Sequence, residues 1–147
     1  MYQHFNRPQA SALIYGGDDA PSIYGRVDFY QKGSFVLVIA DIGGLPNNET
    51  GFYGFHIHEG MDCGGSGFAN SKNHYNPQKA PHPKHAGDLP PLMLCGKIAH
   101  SEVLTDRFSV SDIIGRTVVI HNKPDDFNTQ PSGNAGTKIA CGVIKKK

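Results

Sequence analysis

Apolar and polar positions alternate in short runs along this chain. RVDFYQ, residues 26–31, sets Val27 and Phe29 on one side and Arg26, Asp28 and Tyr30 on the other, the period of two expected of a half-buried strand. Runs rich in β-branched and aromatic residues recur at roughly hairpin spacing: ASALIY (10–15), SIYGRVDFYQ (22–31), SFVLVIAD (34–41), GFYGFHIHE (51–59), RTVVIHN (116–122) and KIACGVI (138–144). The turn-forming clusters GGDDAP, QKGS and GGLPNNETG separate them. Only LTDRFSVSDIIG, residues 104–115, hints at a helical turn. The pattern predicts an all-β chain, a sandwich or barrel.

Composition narrows this. A length of 147 residues fits one domain, residues 1–147, around a single core. There is no tryptophan, so that core must rest on Val, Ile, Leu and Phe, while 18 glycines and 10 prolines suit many short elements joined by turns. A net charge of +1 argues against a broad nucleic-acid footprint. No apolar window of about 18 residues predicts a membrane span. Lys145-Lys146-Lys147 reads as a solvated tail. The opening MYQHFNRPQASALIYGG lacks a basic start followed by an unbroken apolar run, which points to the cytoplasm; a chain trimmed to its mature form is compatible with secretion or a periplasm. Asn48-Glu49-Thr50 matches a glycosylation acceptor, a common triplet that carries little weight. Three cysteines, at 63, 95 and 141, are too few for a four-thiolate zinc site and allow one disulfide with one free thiol.

Two segments break the strand pattern. Residues 60–95 and 123–136 are thick with Gly, Pro and Asn, and loops of such length inside a compact domain tend to be functional. The histidines concentrate the chemistry, eight of them in this short chain. In GFHIHEG, His56 and His58 lie one residue apart, so in an extended strand they point the same way. His121 sits in a second such run, RTVVIHN. The segment HYNPQKAPHPKHAGD holds His74, His82, His85 and Asp88 within fifteen residues. A lone strand histidine is ordinarily a packing or surface residue. Two clusters together point to zinc or copper, which imidazole prefers to ligate.

These stretches carry a resemblance. GFHIHEG, the HYNP and HAGDLP segments, GRTVVIH with Asp125 four residues on, and GNAGTKIACGVI are similar to the copper–zinc superoxide dismutase family, over roughly residues 51 to 144 and in the same order. The resemblance implies a Greek-key β-barrel or sandwich with long metal-binding and active-site loops. It implies copper bound by His56, His58, His74 and His121, and zinc bound by His74, His82, His85 and Asp88. Two four-coordinate metals need eight donors, whereas six histidines and one aspartate supply eight only if one imidazole uses both nitrogens; His74 is the residue the family shares. The implied activity is dismutation of superoxide, a small anion, to dioxygen and hydrogen peroxide. Copper would supply the redox change and zinc, which has none, would shape and polarise. His74 would carry a proton in the cycle. Asp125 matches a carboxylate that hydrogen-bonds one copper and one zinc ligand. Cys63 and Cys141 match the family's intrachain disulfide, leaving Cys95 as a free thiol.

The chain also departs from the family. Lys138 stands where an arginine usually lies beside copper; it keeps the charge without the planar fork, which predicts weaker docking of the anion. The loop from Pro124 to Gly133 is shorter than in many members, so fewer charges are expected to flank the channel. Only two residues separate His82 from His85, which requires a sharp turn at Pro83 if both are to reach one zinc. The alternative to an enzyme is a catalytically silent copper/zinc-binding module of the same fold, a copper store or delivery domain. Loss of a copper ligand is the usual sign of such a module, and none is lost. A zinc hydrolase would need a general base, and neither Glu59 nor Asp62, the carboxylates near the motif, stands out. Dimers and monomers both occur in the family, so a homodimer stays open. The disulfide favours an oxidising compartment, against the cytoplasmic reading of the N-terminus.

Overall fold

The alternating runs become strands in the computed structural model, which describes residues 7–147. β1 (Ala10–Gly16), β2 (Tyr24–Lys32) and β3 (Phe35–Gly43) form an antiparallel meander. The chain then crosses to the opposite edge as β4 (Phe52–Tyr53) and β5 (Phe55–His58). It returns through β6 (Leu92–Met93) to β7 (Ile98–Thr105), which pairs with β3. After the single turn of α1 (Val110–Ile113), β8 (Thr117–His121) lies against β5, and β9 (Lys138–Lys146) fills the place between β8 and β1. The resulting order, β5-β8-β9-β1-β2-β3-β7, is antiparallel throughout, with β4 and β6 paired separately. Two crossings from edge to edge give the Greek-key pattern and a sheet curled into a half-barrel around its apolar face.

Val27 and Phe29 face that interior with no exposed surface, as the alternation predicts, beside Ile57, Val118, Ile120 and Ile144. Tyr30 departs from it. It lies on the outer face yet is buried, because it stands opposite Leu37, which in turn faces Leu104, and an apolar row forms across β2, β3 and β7.

Besides the two-residue β6, β7 is the strand the sequence did not announce. Its polar positions alternate with only modest apolar ones, as befits an edge strand with one wet face. The helical hint narrows to four residues, held by a capping box in which Ser109 and Asp112 satisfy each other's backbone N–H groups. The lysine run is not a free tail: Lys145 and Lys146 continue β9 and pair with Ser11 and Ala10 of β1 while their side chains stay exposed. Strand pairing uses the backbone, to which the charge of a solvent-exposed side chain is indifferent. Asn48, of the glycosylation triplet, donates its amide to Phe52 O (2.8 Å) and Asn122 O (3.0 Å), so that nitrogen pins a turn. Residues 1–6, where the leader reading begins, lie outside the described residues. Among the described residues no helix is long and apolar enough to cross a membrane.

Candidate metal centre

β5 positions the first two imidazoles. Its alternation sends His56 and His58 to the same side, and both are buried. β8 pairs with β5 and ends at His121, where the register shifts against β9 and Lys138 becomes the direct neighbour of His121. The other edge of β5 would be open, but the long loop folds back on it. His58 bridges to His74 and His56 to Asp88. Tyr75 N donates to Ile57 O (2.8 Å), and Ile57 N to Gly87 O (2.9 Å). Gly87 is required at that approach, since a Cβ there would lie 2.2 Å from Ile57 O. The irregular loop is thus docked as a partial strand. Its earlier part includes short 3-10 turns within Ser66–Ser71, in what the sequence left as unstructured.

The docking gathers two groups of donors. His56, His58, His74 and His121 form one; His74, His82, His85 and Asp88 form the other; within each group the donor atoms lie within 4.8 Å of one another, and all seven residues are buried. His74 belongs to both. Every residue the sequence singled out as a metal ligand is therefore in one of the two clusters.

Tautomers follow from the partners on the far side of each ring. Asp125 Oδ2 accepts from His56 Nε2 at 2.8 Å and its Oδ1 accepts from His82 Nε2 at 2.7 Å, so each ring carries its proton on Nε2 and turns a bare Nδ1 inward. Lys72 O accepts from His58 Nδ1 (2.9 Å) and Gly136 O from His121 Nδ1 (3.4 Å), which leaves both Nε2 atoms bare. Those two Nε2 atoms face each other at 3.2 Å. Two lone pairs at that distance repel unless a cation stands against both. His56 Nδ1, His74 Nε2 and His82 Nδ1 are likewise buried without a hydrogen-bond partner, an expensive state that a metal would relieve. In the second group, His74 Nδ1 lies 2.8 Å from Asp88 Oδ1 and 3.3 Å from His85 Nδ1, and His82 Nδ1 lies 3.1 Å from Asp88 Oδ2. Nitrogen and carboxylate donors converging this way fit zinc, and an all-imidazole group fits copper.

The electrostatics keep the donors ready. Burial lowers the His56 pKa to about 4 and that of His121 to about 3, and pushes His58 well below its ordinary value. All three rings therefore stay neutral, the form that binds metal. Burial pushes the Asp125 carboxyl up, but hydrogen bonds from His56, His82 and the Phe127 N–H outweigh it and hold the group ionised well below its ordinary range. Asp88 is ionised by the same balance, burial against His74 and its neighbours.

A cavity of about 410 Å³ reaches the first group and is lined by His58, His74, His121, Lys72, Ser132 and Lys138, among others. The Lys138 ammonium donates to Lys72 O (2.7 Å) and Ser71 Oγ (2.8 Å) and is half-buried, which lowers its pKa. Sequence reasoning missed Lys72 and Gly133. Lys72 adopts φ 60°, ψ −142°, a region natural to glycine; its carbonyl accepts from both Lys138 and His58, and the residue is part of the cavity lining. No local signal marks a residue used for its carbonyl. Two lysines, Lys72 and Lys138, thus belong to the cavity lining. Gly133, at φ 72°, leaves room for Asp125: a Cβ there would sit 2.0 Å from Asp125 Oδ1 and 2.6 Å from His82 Nε2. Cys63 and Cys141 are joined by a disulfide, and Cys95 is a free, exposed thiol.

Known proteins resemble this chain in sequence. The family model described as copper/zinc superoxide dismutase matches residues 23–144. An extracellular superoxide dismutase [Cu-Zn] of Caenorhabditis elegans is 38% identical, over 92% of this chain and 68% of that protein. A superoxide dismutase [Cu-Zn] of Legionella pneumophila is also 38% identical, over 92% of this chain and 86% of its own. Superoxide dismutase [Cu-Zn] 2 of Aquifex aeolicus is 35% identical over 84% of this chain and 80% of its own. With its Greek-key sheet and two buried donor groups, the chain belongs to the copper/zinc superoxide dismutase family, an enzyme whose metals are copper and zinc.

Proposed function

We propose that residues 1–147 act as one superoxide dismutase domain in which His56, His58, His74 and His121 hold copper and His74, His82, His85 and Asp88 hold zinc. The observation that carries this reading is the double membership of His74. Its Nδ1 faces Asp88 and His85, while its Nε2 is buried without a partner beside His56, whose ring centroid is 4.0 Å away. A deprotonated ring in that position would offer Nε2 to copper and Nδ1 to zinc.

Copper supplies one-electron exchange with superoxide, and zinc supplies a fixed charge that acidifies the shared ring. The chain's own groups do the rest. His58 Nδ1 and His121 Nδ1 are pinned by carbonyls and His56 by Asp125, so the three other nitrogens keep their direction throughout. His74 Nε2 holds a proton in one half of the cycle and delivers it to the departing peroxide in the other. Overall, two superoxide anions and two protons give dioxygen and hydrogen peroxide. Lys138 and Lys72 offer positive charge to the incoming anion along the cavity.

Metal analysis of the purified protein is expected to give two metals per chain, and superoxide consumption is expected to vanish on chelation and return with copper. A protein that keeps both metals yet consumes no superoxide would instead be a storage or delivery module.

A further inference from the structure

Two residues separate His82 from His85, and the carbonyls of that short turn are met by side chains from outside it as well as by its own amides. We propose that Arg107 and Gln130 are positioning residues that clamp this turn from outside and so hold the zinc donors in place. The inference rests on the assignment of His82, His85 and Asp88 to zinc.

Arg107 comes from the turn after β7, far from the loop in sequence. Its Nη1 donates to Pro83 O at 2.8 Å and to His85 O at 3.2 Å, and reaches Asp88 O at 3.5 Å. Two of those three carbonyls belong to the proposed ligands themselves. Among the described residues no carboxylate lies within ion-pair distance of Arg107, so its guanidinium is free to serve neutral acceptors. Its base is fixed: Arg107 N donates to Thr105 Oγ1 (3.2 Å), and the next residue, Phe108, is buried in the core.

Gln130 grips the other end. Its Oε1 accepts from His82 N at 2.9 Å and its Nε2 donates to His82 O at 2.7 Å. The primary amide thus pairs with both backbone groups of one ligand residue, as a strand neighbour would. Between the two clamps, His85 N donates to Asp88 Oδ2 (3.0 Å) and Asp88 N to His85 O (3.1 Å), which closes the turn on itself. No bond of either clamp touches a donor atom aimed at the metal. Their effect must pass through the backbone.

The test is zinc and copper affinity by chelator competition, together with the visible spectrum of protein carrying Co(II) in place of zinc, for the wild type, Arg107→Gln, Arg107→Lys and Gln130→Glu. Gln130→Glu keeps the acceptor for His82 N but replaces the donor with an anion facing His82 O. Arg107→Gln and Gln130→Glu are each expected to weaken zinc roughly 10- to 100-fold, the range for partners that orient ligands. Both should also broaden or shift the Co(II) bands, leave copper affinity near wild type, and in the arginine case recover part of the loss with lysine. Zinc affinity unchanged in both variants would overturn the clamp. So would parallel loss of zinc and copper, which would mean general loosening. A wild-type chain that binds no zinc would sink the ligand assignment itself, a failure visible before any variant is made.

Discussion

At the scale of single residues, the centre works by assigning protons. Asp125 takes an N–H from one ring of each donor group, so a single carboxylate sets two tautomers. In Asp125→Asn one of those N–H groups would face an amide NH₂, and that ring would turn its proton inward. Both metal affinities should fall by roughly 10- to 100-fold, measured by competition with a chelator of known strength. Gly133→Ala would press a methyl into the same carboxylate. It should lower metal affinity more than stability, because the clash is with a side chain that can retreat only by releasing His56 or His82.

The histidines also give a pH dependence with a definite sign. Burial holds His56 at about 4 and His121 near 3, against 6.5 for a free ring. Between those values the unfolded chain binds protons that the folded chain refuses. Stability of the chelated protein must therefore fall as pH drops from about 6.5 toward 4. Thermal unfolding of the metal-stripped protein across that window should show a steadily decreasing midpoint; a flat profile would mean that the rings take up protons without unfolding.

Lys138 belongs to the same scale. Lys138→Arg restores a planar fork and is expected to raise the rate at fixed copper content; Lys138→Gln should lower it and flatten its dependence on ionic strength. A fall with arginine would contradict the role given to the cation.

Among the elements, the stretch from Cys63 to Lys72 joins the disulfide to the cavity. Its disulfide closes 78 residues of chain against β9, worth about 4.5 kcal/mol in the chain-entropy account. Its far end, Lys72, carries a glycine-like backbone conformation that costs on the order of 1 kcal/mol. Lys72→Gly should therefore raise the unfolding midpoint by a few degrees while reducing the salt dependence of superoxide consumption. A variant both more stable and equally salt-sensitive would show that the lysine plays no part in guiding the anion. The edge strand β7, by contrast, carries no ligand; it covers β3, leads into α1, and its last residue, Thr105, accepts from Arg107 N.

On the scale of the molecule, the Greek-key crossings bring β5 and β8 side by side although 58 residues of chain lie between His58 and Thr117. The core beneath them is apolar and continuous. A substitution such as Phe29→Ala, remote from the centre, should cost about 3–5 kcal/mol and weaken both metals together. That outcome, read by metal retention during thermal unfolding, separates damage to the barrel from damage to the loop.

The sequence by itself determined the strand runs at 10–15, 22–31 and 34–41, because period-two burial is a local property of an extended chain. It also determined which residues could ligate metal, because imidazole and carboxylate are properties of residue type, and the pairing of His56 with His58 on one face. The tertiary structure alone decided what used backbone atoms or arose from neighbours distant in sequence. Lys72 O, the carbonyls of the His82–Asp88 turn, the room left by Gly133 and the burial of Tyr30 are of that kind. A carbonyl is the same on every residue, so only the fold can say which ones converge on a ring or a cation.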